Sequence, residues 1–445
     1  MLGPFAGAAA SFDVDFSPAA EPLARRPRRR PARLVTAEAP SRPAPTGERD
    51  FERLLVHTGL NQLSWNVSGA FSAVFLLHQG LSIAAIYLCF ALILALRFVS
   101  RPLVLVTARR IGLRATTFLA CVLYAGQAPL LAFVNGPDLA LLVYCAATAL
   151  AQVYYWGCYH AIFAVGGDPA RRGAQVGWRQ MLTAAVGVVG PAAGGASLTF
   201  GGAGLTFGVG AAIQLVSIIP LLGLAYPPFA RRAPKGAYRA AARGAGLFVA
   251  DAWIFCSSNW AWGLIMFVAV GAGYAAYGGA MSAAALAGAL GGLFFSRLID
   301  SGRTRRAAWI NAAVLAAMLV AKAACGDAPV PVLAVAIGSA LFGGLYTPSL
   351  MAAVYNESKS SPCPMRYQLA LEASWDVGGV AACLVAAAIS AAGAPLQAIV
   401  LIALPAVPVQ AALLVKSYAS RGGNGVTSGT PDNGRSNGRL ARPAR

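Results

Sequence analysis

The chain consists of twelve long, nearly continuous apolar stretches separated by short polar connections. An α-helix needs roughly 20 apolar residues to cross the ~30 Å hydrocarbon core of a bilayer. Barrel strands alternate over about 10 residues, whereas these stretches are longer and do not alternate. The pattern therefore predicts an all-α integral membrane protein with twelve transmembrane helices. The predicted spans are residues 58–79, 82–107, 115–134, 138–164, 177–199, 203–225, 246–271, 275–298, 307–325, 329–354, 367–391 and 395–417.

Arginine and lysine occur in every second connection, and both terminal segments are basic. Of the 35 basic residues, only Lys322 lies on the flank of a connection of the other set. Lys and Arg accumulate in the cytoplasmic loops of membrane proteins. We therefore predict that the basic connections and both termini are cytoplasmic, and that the protein lies in the inner (plasma) membrane.

The composition supports a bilayer as the surrounding medium. The chain is 58% hydrophobic and 11% charged, whereas soluble domains carry about 25% charged residues. A formal net charge of +19 would suggest nucleic acid as the partner of a soluble protein. Here the charge follows the orientation rule and lacks the aromatic interleaving of a nucleic-acid surface. We expect lipid and no nucleic acid as partners, and a monomer.

The longest internal connection divides the spans into six plus six. It contains Pro227, Pro228 and Pro234. Equal halves indicate an internal repeat, and transporters built from such repeats bind substrate near the bilayer midplane between them. The predicted divisions are a disordered basic tail over residues 1–54, a six-helix bundle over 55–225, a cytoplasmic linker over 226–245, a second six-helix bundle over 246–418 and a disordered tail over 419–445.

Turns that combine glycine with arginine follow the second span of each half. Their residues are Arg110, Gly112 and Arg114 in the first half, and Asp300, Gly302 and Arg303 in the second. With this layout and these turns, the chain resembles the major facilitator superfamily of secondary transporters over about residues 55–417. In that family the first turn usually carries a Gly, an Asp and a basic cluster. Here Leu105 and Arg109 stand at the expected Gly and Asp positions, and the second copy keeps its acid with a spacing one residue short.

The fifth span contains Gly187, Gly190, Pro191, Gly194 and Gly195 in the order Gly-x-x-Gly-Pro-x-x-Gly-Gly. This sequence is similar to the fifth-helix Gly-Pro-x-x-Gly-Gly motif of the family's proton-linked exporters. Glycines let two helix backbones approach closely, and proline bends a helix. The resemblance favours helix packing by these residues and export in exchange for protons, although a chain with 49 glycines also yields such spacings by chance.

Two pairs of ionisable residues lie within predicted spans, where charges are costly and indicate function. Glu372 and Asp376 are four residues apart in span 11, and Arg97 and Arg101 are four apart in span 2, so each pair shares a helix face. In the resembled family, helices 2 and 11 are neighbours across the interface between the halves. Three roles stay open: a gate between the halves, proton coupling or substrate binding by Asp376, and a static ion-pair cluster.

Polar and aromatic residues concentrate on the first and fourth spans of each half. The resemblance implies that these helices line a central cavity. Amides and aromatic rings suit a neutral or cationic organic ligand. Asp251 is expected to interact with the N-terminus of span 7 rather than with a ligand. The expected cavity residues are Asn61, Asn66, Gln152, Tyr154, Tyr155, Asn259, Trp260 and Tyr346.

Sequence signatures of enzymes are missing. The chain has no P-loop, GxSxG or HExxH sequence, so neither ATP hydrolysis nor a known catalytic set is indicated. The cysteines mostly stand alone and the three histidines are far apart, so we expect no metal and no cofactor. We predict a proton-coupled secondary transporter that exports a small organic solute. The alternatives are an uptake permease of the same fold and a non-transporting membrane receptor or assembly protein.

Overall fold

The computed structural model describes residues 48–165, 172–226, 238–299, 304–343 and 363–422, together with positions 234, 236 and 361. These residues form α-helices joined by short turns, and no β-strand occurs among them. Two short 3₁₀ helices cover Gly69–Phe71 and Arg239–Ala241. The α-helices, numbered in chain order, are α1 Glu48–Val67, α2 Ser72–His78, α3 Ile83–Leu131, α4 Leu139–Val165, α5 Arg172–Phe200, α6 Gly202–Val216, α7 Ile218–Leu221, α8 Ala242–Ala269, α9 Tyr274–Ile299, α10 Thr304–Ala324, α11 Pro329–Gly343, α12 Pro364–Ala391, α13 Leu396–Leu401 and α14 Ala406–Gly422.

Seven stretches of the described residues are long and apolar enough to cross a membrane. They lie in α3, α4, α5, α6 with α7, α8, α12, and α13 with α14. Two shorter apolar helices cover Ala308–Ala324 and Pro329–Phe342. The protein is therefore an all-helical integral membrane protein. Helical structure lies within each predicted span, while the count of twelve crossings in two six-helix halves stays a prediction.

Helix α3 joins two predicted spans through a single-residue break. Gly112 has φ +82° and ψ 163°, a conformation that is essentially restricted to glycine. Helical residues continue on both sides of it. The connection predicted at residues 108–114 is thus reduced to one sharp turn between a first and a second segment of α3.

The last predicted span of each half is interrupted near a proline. Helix α6 ends at Val216, four residues before Pro220, and α13 ends at Leu401, four residues before Pro405. Proline lacks an amide hydrogen, and its ring clashes with the carbonyl group four residues earlier. The two prolines therefore account for both interruptions.

Helix α1 begins inside the segment that was predicted to be a disordered tail. Asp50 Oδ2 accepts a hydrogen bond from the backbone amide of Ala225 at 3.3 Å, and Arg53 donates one to the carbonyl oxygen of Gly223. These bonds hold the first turns of α1 against the residues that follow α7. Residues 48–54 are helical for this reason, and α14 likewise extends to Gly422, past the predicted boundary at 418.

The most extensive contacts between the elements before residue 226 and those after residue 238 are made by two helix pairs. Helix α3 packs against α12, and α5 packs against α9. Helix α12 also packs against α8. The largest cluster of buried apolar side chains includes Phe71 and Tyr87 from the first half and Phe267 and Trp375 from the second. The helices before residue 226 and those after residue 238 therefore share one continuous core.

Candidate functional site

Four charged side chains meet between α3 and α12, and we call Arg97, Arg101, Glu372 and Asp376 the charge cluster. Arg97 Nη2 lies 3.0 Å from Asp376 Oδ1 and 3.3 Å from Glu372 Oε2. Arg101 Nη2 pairs with Asp376 Oδ2. Both Arg97 and Asp376 are fully buried. Two positive and two negative groups thus neutralise each other, which is the condition for holding charges away from water.

Adjacent glycines bring α12 close to its neighbours at this level. A Cβ atom at Gly379 would lie 2.6 Å from Leu94 Cδ1 of α3, and one at Gly378 would overlap the backbone of Val249 in α8. Small residues permit such close helix approach in membrane proteins. Asp376 lies about 18 Å along α12 at the helical rise of about 1.5 Å per residue.

Two residues of α4 extend the charge cluster. Arg97 Nη1 donates to Gln152 Oε1 at 3.2 Å, and His160 Nε2 lies 3.6 Å from Glu372 Oε1. The His160 ring stacks on Trp156 with ring centroids 5.6 Å apart. Histidine is the side chain that changes charge most readily near neutral pH. Glu372 therefore has a second neighbour beside Arg97, namely His160, which carries a positive charge when it is protonated. The sequence analysis did not assign His160 to this site.

A cavity of about 350 Å³ lies between helices that precede residue 226 and helices that follow residue 238. This volume is in the range of pockets that bind small organic ligands. The wall contains Asn61, Gln152, Asn259 and Trp260, four of the expected cavity residues. Trp260 of α8 stacks on Phe90 of α3 with ring centroids 4.1 Å apart. The cavity thus combines amide groups with aromatic faces.

The charge cluster lies beside one end of this cavity. Phe90 and Leu94 line the cavity from α3, and Arg97 follows Leu94 by about one turn in the direction of Gly112. Gln152 lines the cavity and accepts the hydrogen bond from Arg97. The cluster therefore lies on the side of the Gly112 turn, which the charge pattern predicts to be cytoplasmic.

Tyr154 and Tyr155 do not line the cavity, contrary to expectation. The Tyr154 hydroxyl group is hydrogen-bonded to Thr107 Oγ1 at 2.8 Å, and the Tyr155 hydroxyl group to His57 Nε2 at 3.0 Å. Both rings belong to an apolar cluster that is built mainly from helices before residue 226 and includes Met365 and Leu369 of α12. Since α4 directs Gln152 towards the cavity, Tyr154 two positions later points to the opposite side of a helix with 3.6 residues per turn. Tyr155 is held away from the cavity by its hydrogen bond to His57.

Asn66, another expected cavity residue, packs against the glycine motif of α5 instead. A Cβ atom at Gly190 would lie 2.5 Å from Asn66 Cβ, and one at Gly194 would overlap the carbonyl oxygen of Val67. Asn66 Nδ2 donates to the carbonyl oxygen of Gln62 at 2.8 Å. This asparagine therefore lies in the contact between α1 and α5, where glycine allows close approach.

The opposite face of the glycine motif packs on α9. A Cβ atom at Gly187 would lie 3.6 Å from an α9 side chain, and one at Gly195 would overlap the carbonyl group of Tyr274. The carbonyl group of Pro191 occupies the place that a Cβ atom at Gly278 would take. The motif thus packs α5 between α1 of its own half and α9 of the other half.

The turn motif after the second span is described in the first half alone. Gly112 forms the turn itself, and Arg110 is exposed. Arg114 Nη2 donates to the carbonyl oxygen of Leu222 at 2.8 Å, and its guanidinium group lies 5.6 Å from the ring centroid of Phe118. Arg114 therefore connects α3 to the end of α7. The expected residues that lie outside the described ranges are Asp300, Gly302, Arg303 and Tyr346.

Two charged residues line the cavity that sequence reasoning did not assign to it. Asp251 lies nine residues into α8 rather than at its N-terminus. Its carboxylate accepts hydrogen bonds from Trp375 Nε1 at 3.1 Å and Gln410 Nε2 at 3.4 Å. Lys322 reaches the cavity from α10, with Nζ 5.2 Å from the ring centroid of Trp262. The sequence signal for Lys322 was its exceptional place in the charge pattern.

No protein-family model matches the chain, and no curated protein matches its sequence. Solved structures match the fold. The human organic anion transporter MFSD10 (TETRAN) has a TM-score of 0.60 and 16% identity, covering 82% of this chain and 99% of that chain. The POT family transporter PepTSo has a TM-score of 0.64 and 12% identity, covering 85% and 99%. The nucleoside transporter NupG has a TM-score of 0.58 and 13% identity, covering 83% and 98%.

These similarities extend over nearly the whole of each transporter and most of this chain. Because the sequence identities are low, the similarities show only that the helices are arranged in the same way. The packing of α3 on α12 also agrees with the neighbouring second and eleventh helices that the resemblance implied. The chain therefore has the fold of the major facilitator type of transporter.

Proposed function

We propose that the protein is a secondary active transporter that moves a small organic solute across the inner membrane by alternating access. The main support is the charge cluster, in which Arg97 of α3 and Asp376 of α12 join the two halves at 3.0 Å. The cavity between the halves supplies a place for the solute. An ionic contact between the halves supplies a means of closing one side, and the charge pattern makes this the cytoplasmic side.

Opening that side separates the charges of α3 from those of α12. An unpaired charge in a low-dielectric region costs several kcal/mol, so the intact charge cluster stabilises the closed state. A proton on Asp376 removes one negative charge and weakens its attraction to Arg97 and Arg101. Glu372 stays as their counter-ion, with His160 beside it at 3.6 Å. Protonation therefore lowers the free energy needed to open the cytoplasmic side.

We favour export of the solute in exchange for protons. The support is the Gly187–Gly195 motif, which is similar to that of proton-linked exporters. Its glycines pack α5 on both α1 and α9, so a movement of one half against the other acts directly on this helix. Export and uptake differ in the direction of flux through the same fold. Flux must therefore be measured in both directions.

The proposal that the solute is a small organic molecule is supported by the cavity and by the fold. The wall offers amides and aromatic rings around about 350 Å³. Transporters with this fold include one named for organic anions and one named for nucleosides. Ligands are identified first by a thermal-shift screen of metabolites, because a compound that binds the native state raises its melting temperature.

The function is tested in proteoliposomes with an imposed pH gradient. The wild-type protein is expected to accumulate a solute from the screen in a gradient-dependent way. Asp376→Asn is expected to lower gradient-driven accumulation by about tenfold or more, a loss of about 1.4 kcal/mol of coupling, and to retain solute exchange. The matched control is Asp327→Asn, since Asp327 is exposed in the turn after α10, where Gln397 donates to it.

Two outcomes would contradict the proposal. If a variant with Arg97, Arg101, Glu372 and Asp376 all neutralised transports as fast as the wild type, the charge cluster has no part in transport. If the wild-type protein moves no compound in either direction, the chain serves as a membrane receptor or assembly protein instead.

A further inference from the structure

The two charged residues of the cavity wall have different surroundings. Asp251 has a hydrogen-bond donor at each carboxylate oxygen, from Trp375 and Gln410. Lys322 forms no ion pair with any described residue. Its ammonium group faces the ring of Trp262 at 5.2 Å. Among the described residues, no carboxylate lies within ion-pair distance of the Lys322 ammonium group, and the other charged group of the wall, Asp251, is hydrogen-bonded to Trp375 and Gln410.

The position of Lys322 makes this charge informative. The residue lies in the last turn of α10, and a lysine near a helix end commonly extends to the water interface. Here the ammonium group lies instead over Trp262, which also lines the cavity. A cation–π contact contributes about 0.5–2 kcal/mol, less than the several kcal/mol that desolvation of a charge costs. A charged residue placed in this way indicates a ligand site.

The wall near Lys322 and α8 also contains several aromatic side chains. Phe255 lies beside Trp260, with ring centroids 6.0 Å apart and nearly perpendicular planes. Tyr277 of α9 also lines the cavity. Aromatic rings prefer stacked or edge-to-face contacts with other rings. This part of the wall therefore favours a ligand that is itself a flat ring.

We propose that the solute is a small aromatic carboxylate, which pairs its carboxylate group with Lys322 and places its ring among these aromatic side chains. This inference rests on the proposed function for its transport, while the binding site rests on the cavity alone. A neutral ligand leaves the ammonium group unbalanced, and a cationic ligand is repelled by it. Asp251 already accepts two hydrogen bonds from protein side chains, so the ligand needs no cationic group to pair with it and a monoanion suffices.

The test is equilibrium binding to the purified full-length protein, followed by tryptophan fluorescence. Benzoate, benzamide and benzamidine share one ring and are anionic, neutral and cationic. We expect benzoate to bind about tenfold or more tightly than benzamide, the strength of a charge-assisted contact, and benzamidine to bind most weakly. Lys322→Gln is expected to remove the preference for benzoate, and Lys322→Arg to retain most of it. Lys416→Gln, on an exposed position of α14, is the matched control.

Four results would overturn this inference. They are equal affinities for the three compounds, tighter binding of benzamidine than of benzoate, no binding of any of the three, and an unchanged benzoate preference in Lys322→Gln. Benzamide binding that is equal in the variant and the wild type shows that the variant is folded. If the protein transports another solute in response to the proton gradient but shows no preference for benzoate, the proposed substrate class is wrong and the transport proposal stands. A benzoate preference in a protein that transports nothing in liposomes refutes the transport proposal alone.

Discussion

Arg97 of α3 and Asp376 of α12 form an ion pair of 3.0 Å between residues that are both fully buried. This pair joins a helix that precedes residue 226 to a helix that follows residue 238, and neither side chain is exposed to solvent. Removal of one partner of a buried pair costs about 3–5 kcal/mol because the other charge is left uncompensated, whereas removal of both costs less.

We therefore expect Arg97→Gln and Asp376→Asn each to lower the melting temperature of the purified protein. The double variant should regain part of the loss, because neither charge is then left alone. The comparison is a double-mutant cycle measured by thermal unfolding in detergent. Strictly additive losses would show that the two side chains do not stabilise each other.

A second prediction concerns the contact between α5 and α9. Gly278→Ala places a methyl group where the carbonyl group of Pro191 lies, and overpacking of this kind costs about 1–3 kcal/mol. Gly279→Ala is the matched control on the next residue, because a Cβ atom there meets nothing within 4 Å. We expect a lower melting temperature for the first variant and little change for the second. Equal melting temperatures would contradict the close approach of the two helices.

A third prediction concerns the turn within α3. Gly112 has φ +82°, so Gly112→Ala strains the backbone by about 1–3 kcal/mol. Gly126→Ala is the control, since Gly126 lies in the same helix, has open space around it and lacks a positive φ. The first variant should unfold at a lower temperature than the wild type. An unchanged melting temperature would show that the turn tolerates a side chain.

A fourth prediction concerns orientation. A cysteine at Asn135 should react with a membrane-impermeant maleimide added outside intact cells, and a cysteine at Arg110 should react only after the cells are opened. Both positions are exposed. The background requires Cys325→Ser and Cys363→Ser, because the other cysteines are buried. The reverse labelling pattern would invert the predicted topology and would place the charge cluster on the outer side of the cavity.

Sequence periodicity and the family resemblance together predicted that the four residues of the charge cluster meet. Arg97 with Arg101 and Glu372 with Asp376 each share a helix face because their spacing is four, and the resemblance gave the neighbouring helices. The cavity side of α4 was harder to predict. Tyr144, Thr148, Gln152 and Trp156 all line the cavity at a spacing of four, and His160 continues the same row.

The sequence of α4 does not show which of its faces lines the cavity, because polar and aromatic residues occur on more than one side of the helix. Tyr154 and Tyr155 are buried in an apolar cluster away from the cavity. Large aromatic residues occur both in such clusters and in the cavity wall, so their presence in the sequence does not distinguish the two. Lys322 shows the opposite case. Its place in the cavity depends on the packing of α10, and the sequence marked it only as an exception to the orientation rule.

Gln152 has one side chain with two uses, since it forms part of the cavity wall and accepts a hydrogen bond from Arg97. A molecule that engages this amide alters the surroundings of the guanidinium group, and through it the contact between α3 and α12. Thermodynamic reciprocity then requires that loosening this contact changes the affinity for that molecule by the same factor. In the proposed transporter, this one glutamine would couple binding of the solute to the contact between α3 and α12 directly, because it touches both.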